Sequence, residues 1–376
     1  MTTTVSATWR PRCRLGAASA GGLALPAAQP TRSQLYAPRG VWLDGERLIV
    51  CDSGNHRILI WHSVPTEDGA AADVVLGQAT FDDEGPAARG RGPRNGLHLP
   101  TGVIVAEGRM LVADAWHHRV LIWDRIPESS DTPADRCIGQ PSLGDVERNR
   151  GRDSVCADTL YWPYGLAWIS GRLHVADTGN RRVLIWNGLP DGDLPADIVL
   201  GQHGMQEANE NRGGPVGPAS FRWPHAIAGS GDMLFVADAG NHRVLGWAGK
   251  PRADGPADVV LGQQDFHSAW EMPHQKQGAH RLRFPYGLSL ADDSLAVADT
   301  ANNRVLFWRM PIDEPCGSRA VDVVGQCDFD ACGENHWRAV EPETLCWPYG
   351  VCLHGDRMAI ADSGNNRVML WQRGGE

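Results

Sequence analysis

The sequence predicts an all-β protein: a single six-bladed β-propeller of four-stranded blades. Three observations predict it. One phrase recurs six times, and its Asp falls at Asp52, Asp114, Asp177, Asp238, Asp299 and Asp362, spaced by 62, 63, 61, 61 and 63 residues. Each full copy holds four apolar runs of four to six residues, often β-branched, which read as strands. Gly (44) and Pro (25) make up 69 of 376 residues, about 18%, where average usage is nearer ~12%. So many breakers leave little room for long helices and favour short strands joined by turns. Four strands repeated six times at one period is the signature of a propeller.

Each copy opens on a Pro (Pro38, Pro100, Pro163, Pro224, Pro285, Pro348), always 14 residues before its Asp. An apolar run follows and makes the innermost strand. The second run ends at the Asp, and Asp-x-Gly-Asn-x-Arg makes a tight turn. The third run closes on a Trp (Trp61, Trp123, Trp186, Trp247, Trp308, Trp371), always 9 residues after the Asp. A fourth run of the Asp-Val-Val-Leu-Gly-Gln type follows five copies and ends at Gln78, Gln140, Gln202, Gln263 and Gln326. The repeat cores are 37–78, 99–140, 162–202, 223–263, 284–326 and 347–371, within one domain of residues 1–376. An enlarged segment, 23 or 24 residues from that Gly to the next Pro, separates consecutive copies. Long ordered loops of this kind are usually functional.

The last copy stops at Trp371 without a fourth strand. Gly16 precedes Pro38 by 22 residues, so Cys13–Gly16 aligns with Val-Val-Leu-Gly. Residues 12–16 are therefore expected to supply the outer strand of the last blade and close the ring. Arg10, Arg12 and Arg14 ahead of a small-residue run loosely imitate a secretion signal. A closure strand must be retained, so the expectation is a cytoplasmic protein. The nine cysteines, an odd number with no CxxC pair, fit reduced thiols. No stretch reaches 18 apolar residues, which argues against a membrane-spanning helix.

Ala-Asp-Thr-Gly-Asn-Arg-Arg-Val-Leu-Ile-Trp at 176–186, with its five siblings, resembles the NHL repeat. The departure is length, since the usual NHL repeat is shorter. The resemblance implies a rigid disc that binds a protein, or sometimes RNA, on one face: a non-enzymatic interaction and assembly scaffold. It also implies an alternative, because six-bladed relatives of NHL proteins include metal-dependent lyases and hydrolases. Those with amidating lyase activity hold zinc on axial histidines, with a tyrosine and an arginine nearby. Such a site here would lie at the mouth of the axial channel.

Strands of a blade alternate in direction, so the Asp-x-Gly-Asn turn and the enlarged connection share one face. Eleven of the 14 histidines map there: His56, His98, His117, His118, His203, His225, His242, His267, His274, His280 and His336. The residue after each repeat Pro should border the channel on that face: Arg39, Thr101, Tyr164, His225, Tyr286 and Tyr349. An aromatic, cationic mouth suits a small anionic or aromatic ligand. The other expectation is that these tyrosines pack on each other and plug the channel. A single histidine in the ring, where zinc wants about three, weighs against the enzyme.

The partner-facing candidates are Trp116, His117 and His118, which interrupt the turn of the second copy, together with Trp270 and Trp337. Phe81, Phe266 and Phe329 add aromatic anchors of the kind found at interface hot spots. Cys327, Cys332 and His336, with Cys346 ten residues on, are the one metal-like cluster, in a spacing that is not a standard finger. No resident cofactor is expected, with zinc or calcium as the alternative. The repeated Asp, Asn, Arg and Trp read as architecture. The formal net charge of −10 favours a protein partner over nucleic acid.

Overall fold

The computed structural model describes residues 9–271, 273–274 and 276–374. These form six four-stranded antiparallel sheets, the blades of a six-bladed propeller. The third blade shows the pattern: Pro163–Ile169, Arg172–Asp177, Arg182–Trp186 and Ile198–Leu200, from the axis outward. Pro163 pairs with Asp177 and Asp177 with Arg182, so the Pro and the Asp of the repeat meet at the same end of the blade.

Third strands such as Arg57–Trp61 and Arg182–Trp186 are buried at every position. Each blade is sandwiched between two others, which is why these runs are apolar throughout rather than alternating. Each closing Trp joins its own blade to the preceding one. Trp123 packs with Ile49 and Cys51 of the first blade, and Trp61 with Ala359 and Leu370 of the last. Burying a large apolar side chain in this way stabilises by about 1.5–3 kcal/mol. Five of these indoles also donate Nε1–H to a carbonyl eight to ten residues later, at Ala70, Thr132, Leu194, Gly255 and Ser318.

The ring closes as the sequence predicts. Trp9–Gly16 pairs antiparallel with Arg367–Arg373, and Leu15 faces Val368 as Leu76 faces Ile58 in the first blade. The strand begins earlier than residue 12, because a bulge between Pro11 and Cys13 lets the chain continue back to Trp9. Trp9 stacks on Phe307 with ring centroids 6.0 Å apart and lies under the Arg373 guanidinium.

One buried network repeats at the loop-rich end of every blade. In the third, Asp177 Oδ1 accepts the Tyr161 N–H at 2.7 Å, while Oδ2 accepts from Asn180 Nδ2 at 2.8 Å and Arg182 Nε at 2.7 Å. The remaining Arg182 nitrogens donate to the carbonyls of Met205, Cys156 and Thr159. The arginine thus ties the turn to the long segments before and after its blade. Burying the charges is tolerable because each is paired and fully hydrogen-bonded. Gln202 fastens the start of its segment by donating Nε2 to the carbonyls of Arg181 and Asn209. The nine cysteines are free thiols, with Cys13, Cys51, Cys137 and Cys352 buried like small apolar residues. Among the described residues, no helix is long and apolar enough to cross a membrane.

Candidate functional site

The six residues that follow the repeat prolines meet at the axis. Five of them stack side by side. Ring centroids are 4.2 Å apart for Tyr164 and His225, 4.1 Å for His225 and Tyr286, and 4.8 Å for Tyr286 and Tyr349. The Arg39 guanidinium closes the arc, 4.8 Å from the Tyr349 ring centroid, and donates Nη1–H to the Tyr164 hydroxyl at 3.2 Å. Thr101 is drawn back, its hydroxyl donating to the carbonyl of Tyr164 at 3.1 Å. Burial and the Arg39 charge drive the His225 imidazole down to about 3, so it is neutral. Burial pushes the Tyr286 and Tyr349 hydroxyls above their ordinary value. The ring surrounds a cavity of about 90 Å³. At roughly 10–15 Å³ per water, that is room for about six waters or one small polar group.

The Gly of Pro-x-Gly explains how the inner strands approach so closely. A Cβ at Gly40, Gly102, Gly165, Gly287 or Gly350 would come within 2.2–2.7 Å of the carbonyl oxygen of the next blade's ring residue. No side chain fits there.

Around the mouth stands a second ring that the sequence reading missed. The residues just before the repeat prolines are Ala37, Leu99, Trp162, Trp223, Phe284 and Trp347. Trp223 stacks on Phe284 at 6.3 Å, Phe284 reaches Tyr286 of the inner ring at 6.3 Å, and Trp347 donates Nε1–H to Glu334. The signal was present: four aromatics share one repeat position.

Three of the loop-face histidines have an architectural role. The fourth residue after the repeat Asp is left-handed in every copy: His56, His118, Arg181, His242, Asn303 and Asn366. Histidine and asparagine tolerate that conformation better than most residues. Five of the six accept the backbone N–H of the residue before the next Pro. His56 Nδ1 takes Leu99, His118 takes Trp162 and His242 takes Phe284. Asn303 Oδ1 takes Trp347 and Asn366 takes Ala37. These bonds fasten blade to blade beneath the aromatic rim.

The partner-facing candidates divide. Trp116 is exposed and lies against Trp162 and His98, and Trp270 and Trp337 are exposed as well. His117 turns inward and replaces the usual Asn, its Nδ1 2.8 Å from Asp114 Oδ2. Burial raises that carboxyl, but His117 and Arg119 outweigh it and hold Asp114 at about 2. Phe81, Phe266 and Phe329 pack against the core, and their carbonyls accept from the repeat arginines. Among the described residues six large aromatics are exposed: Tyr36, Trp116, Trp223, Trp270, Trp337 and Trp347. All six lie on the loop-rich face.

Cys327, Cys332, His336 and Cys346 do not converge. Cys346 is held under the Asp362 turn beside Gly364, where burial and Asp362 push its thiol up to about 12. His336 Nε2 lies 3.1 Å from the Gly325 carbonyl. Among the described residues no three His, Cys, Asp or Glu side chains come together in a metal-holding group.

No family model matches the chain. It is 27% identical over 238 residues to NHL repeat-containing protein 2 of Homo sapiens, a match that covers 57% of this chain and 30% of that protein. The aligned part is thus less than a third of the relative. Two solved structures from Bacteroides thetaiotaomicron are similar in fold. One is an auxiliary nutrient binding protein, at TM-score 0.52 and 11% identity over 98% of this chain and 77% of that one. The other is a structural genomics protein of unknown function, at TM-score 0.51 and 12% identity over 98% of this chain and 76% of that one.

Proposed function

We propose that this chain, an NHL-type six-bladed β-propeller, works as a non-enzymatic platform that presents its loop-rich face to a protein partner. One observation carries the reading: the six exposed large aromatics among the described residues share that face. Exposed Trp and Tyr in one patch, set on a rigid frame, are what interface hot spots are made of. The frame is rigid because every turn beneath the patch is tied by a buried Asp–Arg pair to the segments around it. The net charge of −10 suits a protein partner better than nucleic acid. Nine free thiols suit the reducing cytoplasm, where we place the protein.

The test is native co-purification with two double variants. A partner held by Trp223→Ala/Trp347→Ala as firmly as by the wild type would overturn the reading. The expected result is its loss from that variant and its retention by Leu194→Ala/Val321→Ala, which removes exposed apolar side chains from the outer edge of the blades.

A further inference from the structure

We propose that the axial mouth is a carboxylate socket, in which Arg39 holds the acidic side chain of the partner and the tyrosine ring encloses its carbon stem. This rests on the platform reading for the molecule that carries the carboxylate.

A guanidinium has five N–H donors in a planar fork that matches a carboxylate. One Arg39 donor goes to the Tyr164 hydroxyl. Among the described residues no Asp or Glu pairs with Arg39, whereas each of the six repeat arginines has a buried carboxylate within 2.7–2.9 Å. A half-buried cation without a counter-charge is costly, and an incoming anion removes that cost.

The surroundings select the kind of anion. Arg39 is flanked by the Tyr349 and Tyr164 rings, 4.8 and 6.0 Å from their centroids. Aromatic walls strip water from the fork and favour a planar carboxylate on a carbon stem over a strongly hydrated ion. His225 adds no charge of its own, and a cavity of about 90 Å³ admits a side-chain carboxylate but not a bulky head group. Phe284 reaches Tyr286 of the ring at 6.3 Å and stacks on the exposed Trp223, so a carboxylate carrier approaching over this side meets apolar surface beside the ring. An acidic side chain with apolar neighbours satisfies both zones. The chain's net charge of −10 opposes an acidic partner at long range, so the recognition is short-range and specific to the socket.

Calorimetric titration tests this with four probes: an acetylated, amidated Leu-Glu-Leu peptide, its Leu-Gln-Leu counterpart, benzoate and inorganic phosphate. The Glu peptide should bind at least ~10-fold more tightly than the Gln peptide. Arg39→Gln should bring the two together, and Arg39→Lys should keep part of the difference. Equal binding of both peptides, or a Glu preference that survives Arg39→Gln, overturns the socket. Arg39-dependent binding of benzoate or phosphate without binding of the Glu peptide overturns the side-chain source.

If Arg39→Gln does not fold, Tyr164→Phe takes its place. It removes only the hydroxyl that orients the fork and should weaken the Glu peptide several-fold, and no change would overturn the assignment. A partner lost from Trp223→Ala/Trp347→Ala but kept by Arg39→Gln removes the socket and leaves the platform. Arg39-dependent peptide binding with no partner lost from the tryptophan variant does the reverse.

Discussion

The His118 imidazole accepts, through Nδ1, the backbone N–H of Trp162 in the next blade at 3.3 Å. A protonated imidazole cannot accept, so the bond requires neutral histidine. Burial pushes His118 and His56 down from 6.5 to about 4, against the pull of Asp114 and with further lowering from His98 and His117. His242 is lowered as well, burial outweighing the attraction of Glu271.

The sign of the pH dependence follows. The unfolded chain takes up the His56 and His118 protons near 6.5 and the folded protein near 4, so this stability is complete above 6.5 and is lost on acidification between those values, and His242 adds to it with the same sign. Each ring is partly wetted, so the loss is about 1–2 kcal/mol per histidine rather than the full ~1.4 per unit. His56→Asn/His118→Asn/His242→Asn keeps the acceptor, as Asn303 and Asn366 do natively. Urea melts of this variant should show a shallower decline from pH 7 to 4. The remaining decline belongs to His174 and His225, held at about 4 and about 3, and to His98 and His280, which burial also lowers. Identical pH profiles would show that the histidines do not act as clamps.

Gly165→Ala should cost about 1–3 kcal/mol, because strand-to-strand contact has to open to admit the methyl. The new Cβ would lie 2.3 Å from the His225 carbonyl oxygen. Gly249→Ala, with nothing within 4 Å, is the control and should change stability by no more than about 0.5 kcal/mol. Equal melting of the two variants would contradict the close approach of the inner strands.

Deleting residues 1–16 removes the outer strand of the last blade, with the buried side chains of Trp9, Cys13 and Leu15. The expected loss is about 5 kcal/mol, a large share of a typical total of ~5–15. Differential scanning calorimetry should show a sharply lowered transition, partly restored by adding a peptide of residues 9–16. An unchanged transition would mean that the ring does not depend on this strand.

Arg182→Met strands the Asp177 carboxylate in the core and should cost about 3–5 kcal/mol in urea unfolding. Asp177→Asn/Arg182→Met should recover part of it, since no charge is left unpaired. A single-variant cost under about 1 kcal/mol would mean that water reaches the pair.

The backbone was the legible part. A fixed distance from Pro to Asp to Trp specifies strands and turns, and the spacing of Gly16 to Pro38 located the closure strand even though its start at Trp9 hides behind a bulge. The axial ring was legible for the same reason, since one residue follows each Pro. Side-chain direction was not. Whether Tyr164, His225, Tyr286 and Tyr349 stack or line an open channel depends on how closely neighbouring blades approach, which no single repeat encodes. His117 and His118 sit side by side in sequence, yet one turns into the Asp114 network and the other reaches the next blade, because His118 is left-handed. Cys346 left its loop-mates because the Asp362 turn drew it inward.

The platform claim is tested most directly by face-resolved photo-crosslinking in cell extract. A photoreactive side chain would replace Trp223 or Trp347 on the loop-rich face, and Leu194 or Val321 on the outer edge of the blades. The account predicts one discrete adduct, to the same protein, from both loop-face positions and none from the other two. Adducts from all four positions alike, or from Leu194 and Val321 alone, would contradict it.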